Sequence, residues 1–206
     1  MKHIEKKDSF SIPNLMSYFR ILLIPVYCVM YMRAETPQDF FWATAVVLLS
    51  SLTDLFDGMI ARRFNMVTEL GKVLDPVADK LNHAALAFCL ATRYKLMWAL
   101  LALMLVKEGY MAVMGIYFLK RGKMLDGAMW YGKVCTATLF VGMLILFFCF
   151  DLSQSAANFM ILFMMAVMIF TLAMYIPVYS RMKKELDKLD ERKEIILLKE
   201  VFPASF

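Results

Sequence analysis

The sequence predicts an all-α integral membrane protein with six transmembrane helices, and three observations lead to this fold class. Hydrophobic residues make up 61% of the 206 residues, whereas a soluble domain is about 45–50% apolar. A helix that crosses a bilayer needs about 20 mostly apolar residues, and six stretches qualify if a few polar positions are allowed. Short polar segments with Lys and Arg separate these stretches, as is typical of the loops in a membrane bundle.

The first three predicted spans cover residues 15–33, 39–63 and 68–92. The first follows a charged and polar segment without the small-residue cleavage site of a signal peptide, so we expect this span to be retained. Pro37 and Asp39 are typical of the break before a helix and of its start. Asn65 and Thr68 favour the end of the second span and the start of the third in the same way.

The last three predicted spans cover residues 96–119, 129–150 and 155–180, separated by the polar turns KRGKMLDG and DLSQSAAN. The tail, residues 181–206, mixes charges at helical spacing, for example Lys183 with Asp187. This pattern predicts either a helix near an anionic membrane surface or a solvated tail without a function. We therefore expect an N-terminal segment 1–14, a membrane domain 15–180 and a charged tail 181–206.

The distribution of basic residues predicts the orientation of this multi-pass protein in the cell membrane. One side of the predicted bundle carries Lys2, Lys6, Lys7, Arg62, Arg63, Lys72, Lys120, Arg121 and Lys123, and the other side carries Arg33, Arg93 and Lys95. The richer side should be cytosolic, which places both termini and the tail in the cytosol. The net charge of +5 does not indicate nucleic-acid binding, because the positive residues are not gathered on one face. The four cysteines lie in apolar runs without a C-x-x-C pair, which predicts free thiols.

Four aspartates interrupt the second and third spans: Asp54, Asp57, Asp75 and Asp79. The first two are three positions apart and the last two are four apart, so each pair occupies one face of its helix. If the two helices form an antiparallel hairpin, about 1.5 Å per residue puts Asp57 and Asp75 at one depth. Asp54 and Asp79 then meet one turn deeper. We expect a single carboxylate cluster in the cytosolic half of the bundle.

A cluster of carboxylates in a membrane requires a cation. An ionised Asp at the bilayer centre costs about 2.5–3.5 kcal/mol, and neighbouring like charges raise the cost. Carboxylate oxygens without His or Cys favour hard ions such as Mg²⁺ or Mn²⁺, with Ca²⁺ also compatible, over zinc. Two such ions would balance four carboxylates, and paired ions are the usual arrangement for a displacement at phosphorus.

The residues between the aspartates fit a phosphate site. Gly58, Ala61 and Gly71 are small, so they leave space for a ligand or for a close approach of helices. Arg62, one turn beyond Gly58, offers a planar bidentate donor to a diphosphate. The stretch therefore predicts phosphoryl-transfer chemistry beside two metal ions.

These residues are similar to the signature D-x2-D-G-x2-A-R-x8-G-x3-D-x3-D of the CDP-alcohol phosphotransferase family. The eight matching positions are Asp54, Asp57, Gly58, Ala61, Arg62, Gly71, Asp75 and Asp79. The resemblance implies the six-helix fold of that family, a homodimer, and transfer of a phosphatidyl or similar group from a CDP-linked donor to an alcohol with release of CMP. It implies that the aspartates hold the metals and that Asp79 is the catalytic base. The implied CDP-binding residues are Asp54, Gly58, Ala61, Arg62 and Gly71.

The segment IPNLMSYFRILLIP resembles the branch of this family that joins CDP-diacylglycerol to glycerol 3-phosphate. This dianionic acceptor needs basic partners beyond the metals, and the candidates are Arg20, Lys80, Lys107, Lys120, Arg121 and Lys133. Lys107 and Lys133 stand out because charges inside apolar runs are usually functional. Members of the branch often have Arg-Glu where this chain has Lys107-Glu108, and Lys does not replace the bidentate donor. We interpret His83 as a packed core residue.

Three alternatives stay open. The acceptor could be phosphatidylglycerol, which would give cardiolipin, or another alcohol. A cation channel or carrier would also place acids in a bundle, although it requires a path across the whole membrane and leaves the small residues and Arg62 without a function. A lipid-binding scaffold without activity is the third alternative.

Overall fold

The computed structural model describes residues 12–63, 71–121, 129–149 and 151–201, and this part of the chain is α-helical without strands. Its six helices are α1 (Ile12–Met32), α2 (Pro37–Arg63), α3 (Gly71–Ala91), α4 (Met97–Lys120), α5 (Trp130–Phe148) and α6 (Gln154–Val201). The first five predicted spans each coincide with a helix to within three residues, whereas the sixth, 155–180, begins with α6 but ends well before it, because α6 continues to Val201. Asn65 and Thr68, predicted to bound the turn between the second and third spans, lie outside the described residues. The all-helical prediction is confirmed for the described chain.

Four helices, α1, α4, α5 and α6, are long and apolar enough to cross a membrane. The helices α2 and α3 contain the aspartates, so their composition is less apolar, as the sequence indicates. Large apolar side chains cover the outer surface of the described helices, among them Leu22, Val113 and Phe159. This much exposed apolar surface is typical of a protein surrounded by lipid. The chain is therefore a membrane protein.

The first compact unit comprises residues 1–101 and 139–162, and α1 is central to its packing. This helix packs against both α2 and α3. The buried Tyr27 hydroxyl on α1 donates a hydrogen bond of 2.9 Å to Asn82 Oδ1 on α3, and the Tyr31 ring stacks on Phe147 with 4.1 Å between centroids. Because a buried hydrogen bond fixes both partners, α1 and α3 keep a defined register.

The second compact unit comprises residues 102–138 and 163–206 and has an aromatic core. The buried members of this core are Phe118, Tyr131, Tyr175, Tyr179 and Leu186. The described part of the tail, residues 181–201, is helical, as one of the two predictions expected, but α6 runs through it without interruption. The separate helix expected for the tail is thus the C-terminal part of the last helix.

Cross-linking of two cysteines can test the packing of α1 on α3. The four cysteines are free, as predicted, and the sulfur atoms of Cys28 on α1 and Cys89 on α3 lie 3.1 Å apart. Oxidation of the reconstituted protein by air with copper phenanthroline should join these two thiols in a disulfide, since they are already in contact. Peptide mass spectrometry should identify the Cys28–Cys89 cross-link, and Cys28→Ser should remove it. A dominant cross-link to Cys135 or Cys149 would contradict this packing.

Gly132 on α5 lies against Tyr175 on α6. A Cβ atom at Gly132 would overlap the Tyr175 hydroxyl and come within 3.3 Å of its Cζ. Tyr175 is only 1% exposed and packs between Tyr131 and Tyr179, so it has little room to move. We expect Gly132→Ala to lower the free energy of unfolding by about 1–3 kcal/mol, the usual cost of overpacking.

Thermal unfolding of the purified protein in detergent measures this effect. Gly115→Ala on α4 is the matched control, because no atom lies within 4 Å of its added Cβ and Ala favours a helix over Gly. The control should unfold at the wild-type temperature or slightly above it. Equal melting temperatures for the two variants would show that Tyr175 does not confine Gly132.

Candidate functional site

The four aspartates lie on α2 and α3, towards the ends of these helices that precede and follow residues 64–70. Asp54 and Asp57 belong to the C-terminal part of α2, and Asp75 and Asp79 to the N-terminal half of α3. Their backbones are helical, so each pair shares a helix face, as its spacing requires. The side chains of Asp54, Asp57, Gly58, Ala61 and Arg62 lie outside the described part of the structure. Their roles stay predictions.

The described part of the site is built on Asp75 and Asp79. Among the described side chains, no three of His, Cys, Asp or Glu come together, so any larger cluster depends on the two aspartates of α2. Gly71, which opens α3, is buried. The geometry of the site therefore follows from the neighbours of the two α3 carboxylates.

A serine on α1 orients Asp75. The Ser17 hydroxyl is completely buried and donates a hydrogen bond of 2.5 Å to Asp75 Oδ1. A carboxylate has about four lone-pair sites, so this bond leaves most of the acceptor capacity for another ligand. Hydrogen bonds of this kind commonly orient metal-binding carboxylates. Ser17 is not among the residues predicted from the sequence, although its position one turn before Arg20 was an available signal.

Asp79 lies one turn further along α3 and contacts His83. The His83 Nδ1 atom is 3.3 Å from Asp79 Oδ1 and 2.9 Å from the Asp79 backbone oxygen, so a proton on Nδ1 can be shared between the two oxygens. His83 is buried and its ring centroid lies 5.7 Å from that of Phe140. The interpretation of His83 as a packed residue agrees with this burial, and its contact with Asp79 adds a role in holding that carboxylate.

Arg20 brings a positive charge to the same region. Its side chain is 1% exposed and is among the largest that are fully buried, and it interacts electrostatically with Asp79. A guanidinium is stable at such depth only when carboxylates, phosphates or other acceptors surround it. Because α1 packs against α3, Ser17 and Arg20 reach the carboxylates from one helix. The structure thus places Arg20 beside the aspartates of α3. Lys80, another predicted acceptor residue, is exposed on α3.

The other predicted acceptor residues belong to the second unit: Lys107, Lys120, Arg121 and Lys133. Lys107 is 5% exposed, and its Nζ lies 2.7 Å from Glu108 Oε1, the ion pair that the sequence offered as a structural explanation. Arg121 donates a hydrogen bond of 2.7 Å to Asp187 Oδ1 on α6, which raises the pKa of the Arg121 guanidinium. Lys120 and Lys133 are exposed. Within this unit, Lys107 and Arg121 already have acidic partners.

Comparison with known proteins shows what the chain is similar to. The family model described as CDP-alcohol phosphatidyltransferase matches residues 10–177. Similar curated proteins include the CDP-diacylglycerol--glycerol-3-phosphate 3-phosphatidyltransferases of Escherichia coli (strain K12), Shigella flexneri serotype 5b (strain 8401) and Shigella sonnei (strain Ss046). Each is 34% identical to this chain over 137 residues, which is 65% of this chain and 75% of the relative. The family match contains all four aspartates together with Ser17 and Arg20.

Proposed function

Because the chain belongs to the CDP-alcohol phosphatidyltransferase family, we propose that it transfers the phosphatidyl group of CDP-diacylglycerol to glycerol 3-phosphate and releases CMP. The activity named for its relatives supports this pair of substrates. The observation that carries the proposal is the arrangement of two α1 side chains beside the acids of α3. Ser17 donates a hydrogen bond to Asp75, and buried Arg20 interacts electrostatically with Asp79. Acids and a buried cation in this arrangement suit the transfer of a phosphoryl group to a phosphate-bearing alcohol.

The reaction exchanges one bond at phosphorus for another. A hydroxyl oxygen of glycerol 3-phosphate bonds to the phosphorus of the phosphatidyl group, while the bond from that phosphorus to the bridging oxygen breaks and CMP departs. We assign Asp79 as the base that accepts the hydroxyl proton. His83 and Arg20 hold the Asp79 carboxylate in place, and Ser17 does the same for Asp75.

The donor set of the site fits divalent ions. Asp75 and Asp79 offer hard carboxylate oxygens, and with Asp54 and Asp57 they would hold two Mg²⁺ or Mn²⁺ ions. When bound, such ions would neutralise the diphosphate and stabilise the charge of the departing CMP. The contribution of the chain is to keep the carboxylates oriented, which for Asp75 is the task of the buried Ser17 hydroxyl.

The two substrates would bind to different sets of residues beside the aspartates. We place the CDP group over Gly58, Ala61 and Gly71, with Asp54 beside it and Arg62 on the diphosphate. We propose Arg20 as the first partner of the acceptor phosphate, since it is a buried cation on the carboxylate site. Further candidates for the acceptor are Lys107, Lys120, Arg121 and Lys133. Of these, Arg121 would have to exchange its bond with Asp187 for one with the substrate.

The proposal includes the membrane arrangement. We propose that α2 and α3 cross the bilayer together with the four more apolar helices, so that the membrane domain of residues 15–180 has six spans. The N-terminal segment 1–14 and the tail 181–206 would be cytosolic, with the active site open to that face. The excess of basic residues on this side supports the orientation, and the resemblance to the family supports a homodimer.

An acceptor competition tests the proposed function. Purified protein in detergent with Mg²⁺ receives radiolabelled CDP-diacylglycerol and either glycerol 3-phosphate or phosphatidylglycerol, and the lipid products are separated. We expect labelled phosphatidylglycerophosphate, equimolar CMP, and loss of both when EDTA removes the metal. A labelled cardiolipin product formed only from phosphatidylglycerol would establish the cardiolipin alternative instead. No CMP release with any alcohol would refute the enzyme, and cation flux into liposomes would then test the channel alternative.

A further inference from the structure

A cavity with charged and amide side chains in its wall lies in the first compact unit, and the aspartates do not line it. It has a volume of about 580 Å³ and is lined by Arg93, Lys95, Leu96, Gln154 and Asn158. The first three belong to the turn between α3 and α4, and the last two to the first turns of α6. None of these residues has a part in the proposed reaction.

The six-span arrangement proposed above, on which this inference rests, puts the cavity at the opposite membrane face from the carboxylates. From Asp75 to its end at Ala91, two residues before Arg93, α3 rises by about 24 Å at about 1.5 Å per residue, which is most of the bilayer hydrocarbon thickness of about 30 Å. Trp98, which follows the lining residues on α4, is 52% exposed, and Trp42 near the start of α2 is 60% exposed. Exposed tryptophans typically mark the headgroup region. The cavity is therefore at headgroup depth.

The lining residues provide positive charge and hydrogen-bond donors. Lys95 forms no ion pair with the described part of the chain, and the Arg93 guanidinium lies 5.0 Å from the Phe40 ring centroid, a cation–π contact that holds the guanidinium plane in place. Gln154 Nε2 donates to Asn158 Oδ1 at 3.1 Å, which leaves further amide hydrogens for a ligand. The positive end of the α6 dipole lies at the same place. This set of groups favours an anion.

We propose that the cavity binds the phosphate of an anionic phospholipid from the leaflet opposite the active site. The volume falls within the range of about 300–1,000 Å³ that is usual for small-molecule sites. The wall contains Leu96 as well as the cations, and exposed Trp98 is next to it, so a headgroup can enter while its acyl chains stay in the bilayer. The bound phosphate would join the α3–α4 turn to the start of α6 and stabilise the first unit.

Thermal unfolding with added lipids tests the site without reference to catalysis. Wild type, Lys95→Gln and the control Arg33→Gln are purified in neutral detergent and titrated with phosphatidylglycerol or phosphatidylcholine. Arg33 is an exposed cation that we place on the same membrane face, and it does not line the cavity. We expect phosphatidylglycerol to raise the melting temperature of wild type and control, and Lys95→Gln to need about tenfold more lipid for the same rise, as for one lost charged hydrogen bond.

Two further titrations and a second variant distinguish a phospholipid from a free phosphate as the ligand. Inorganic phosphate and glycerol phosphate should give no stabilisation that depends on Lys95, because glycerol phosphate would bind at the proposed active site instead. An equal Lys95-dependent effect from either would show that the site takes a free phosphate and would overturn the lipid proposal. Asn158→Ala removes an amide donor from the same cavity, so it should also need more phosphatidylglycerol for the same rise in melting temperature. This variant tests the proposal if Lys95→Gln does not fold. An unchanged response to phosphatidylglycerol in a folded variant would also overturn it.

Discussion

Replacing Asp75 by Asn should lower the rate of CMP release by about 10²–10³-fold or more, the range for removing one preorganised electrostatic contact. The substitution keeps the size of the side chain and removes its negative charge, so the proposed metals lose a ligand while the packing persists. The Ser17 hydroxyl can still donate to the remaining carbonyl oxygen of the Asn side chain. The measurement is release of labelled CMP at saturating CDP-diacylglycerol and acceptor, over a range of Mg²⁺ concentrations.

Two further variants make this result specific. Asp151→Asn removes an exposed carboxylate from the turn before α6 and should keep wild-type activity. Ser17→Ala keeps the Asp75 charge but removes the hydrogen bond that orients the carboxylate. We therefore expect the rate of CMP release to fall by about 10–100-fold, the usual cost of removing a residue that orients a metal ligand. Raising the Mg²⁺ concentration should partly restore Ser17→Ala and leave Asp75→Asn inactive. CMP release that survives in the double variant Asp57→Asn and Asp75→Asn would refute the proposed chemistry.

Replacing Arg20 by Gln should raise the KM for glycerol 3-phosphate by about 10–100-fold, since a hydrogen bond to a charged group contributes about 1.5–3 kcal/mol. The KM for CDP-diacylglycerol should change little if Arg20 serves the acceptor. Arg20→Lys keeps the charge but lacks the planar pair of donors, so its KM should fall between wild type and Gln. Initial rates with each substrate varied in turn separate the two constants.

The stability of the Arg20 variants is measured in parallel. Arg20 is 1% exposed and interacts electrostatically with Asp79, so we expect its replacement to lower the free energy of unfolding by about 0.5–3 kcal/mol, the usual range for a single substitution. Melting temperatures below the assay temperature would require the assay to be repeated at lower temperature. An equal rise in KM for both substrates in folded Arg20→Gln would show that the residue supports the whole site rather than the acceptor.

The sequence was sufficient for those parts of the structure that depend on local spacing. Apolar length predicted where the first five helices lie and where α6 begins. The intervals between Asp54 and Asp57 and between Asp75 and Asp79 predicted that each pair shares a face of its helix. The contact of Ser17 with Asp75 was not predictable in this way, because it joins residues 58 positions apart. It depends on how α1 packs against α3, and side-chain shapes decide that packing rather than periodicity.

The tail also shows which features local sequence predicts and which it does not. Loss of apolar character near residue 180 predicts that the chain leaves the membrane there, but it does not mark the end of a helix. The segment after Pro177 contains good helix formers and no glycine up to Val201, so the backbone continues its hydrogen-bond pattern. The bond between Arg121 and Asp187 spans a long interval of sequence and could not be read from charge pattern alone.

The packing of α1 against α2 and α3 has a consequence for biosynthesis. Judged on the residues that the structure describes, the two helices that carry the aspartates are not among those long and apolar enough to cross a membrane, whereas α1 is. Because α1 is synthesised before α2 and α3 and supplies Ser17 and Arg20 to the α3 acids, we expect it to stay beside the insertion machinery until α3 leaves the ribosome. The helices that carry the chemistry would then enter the lipid only in the company of α1.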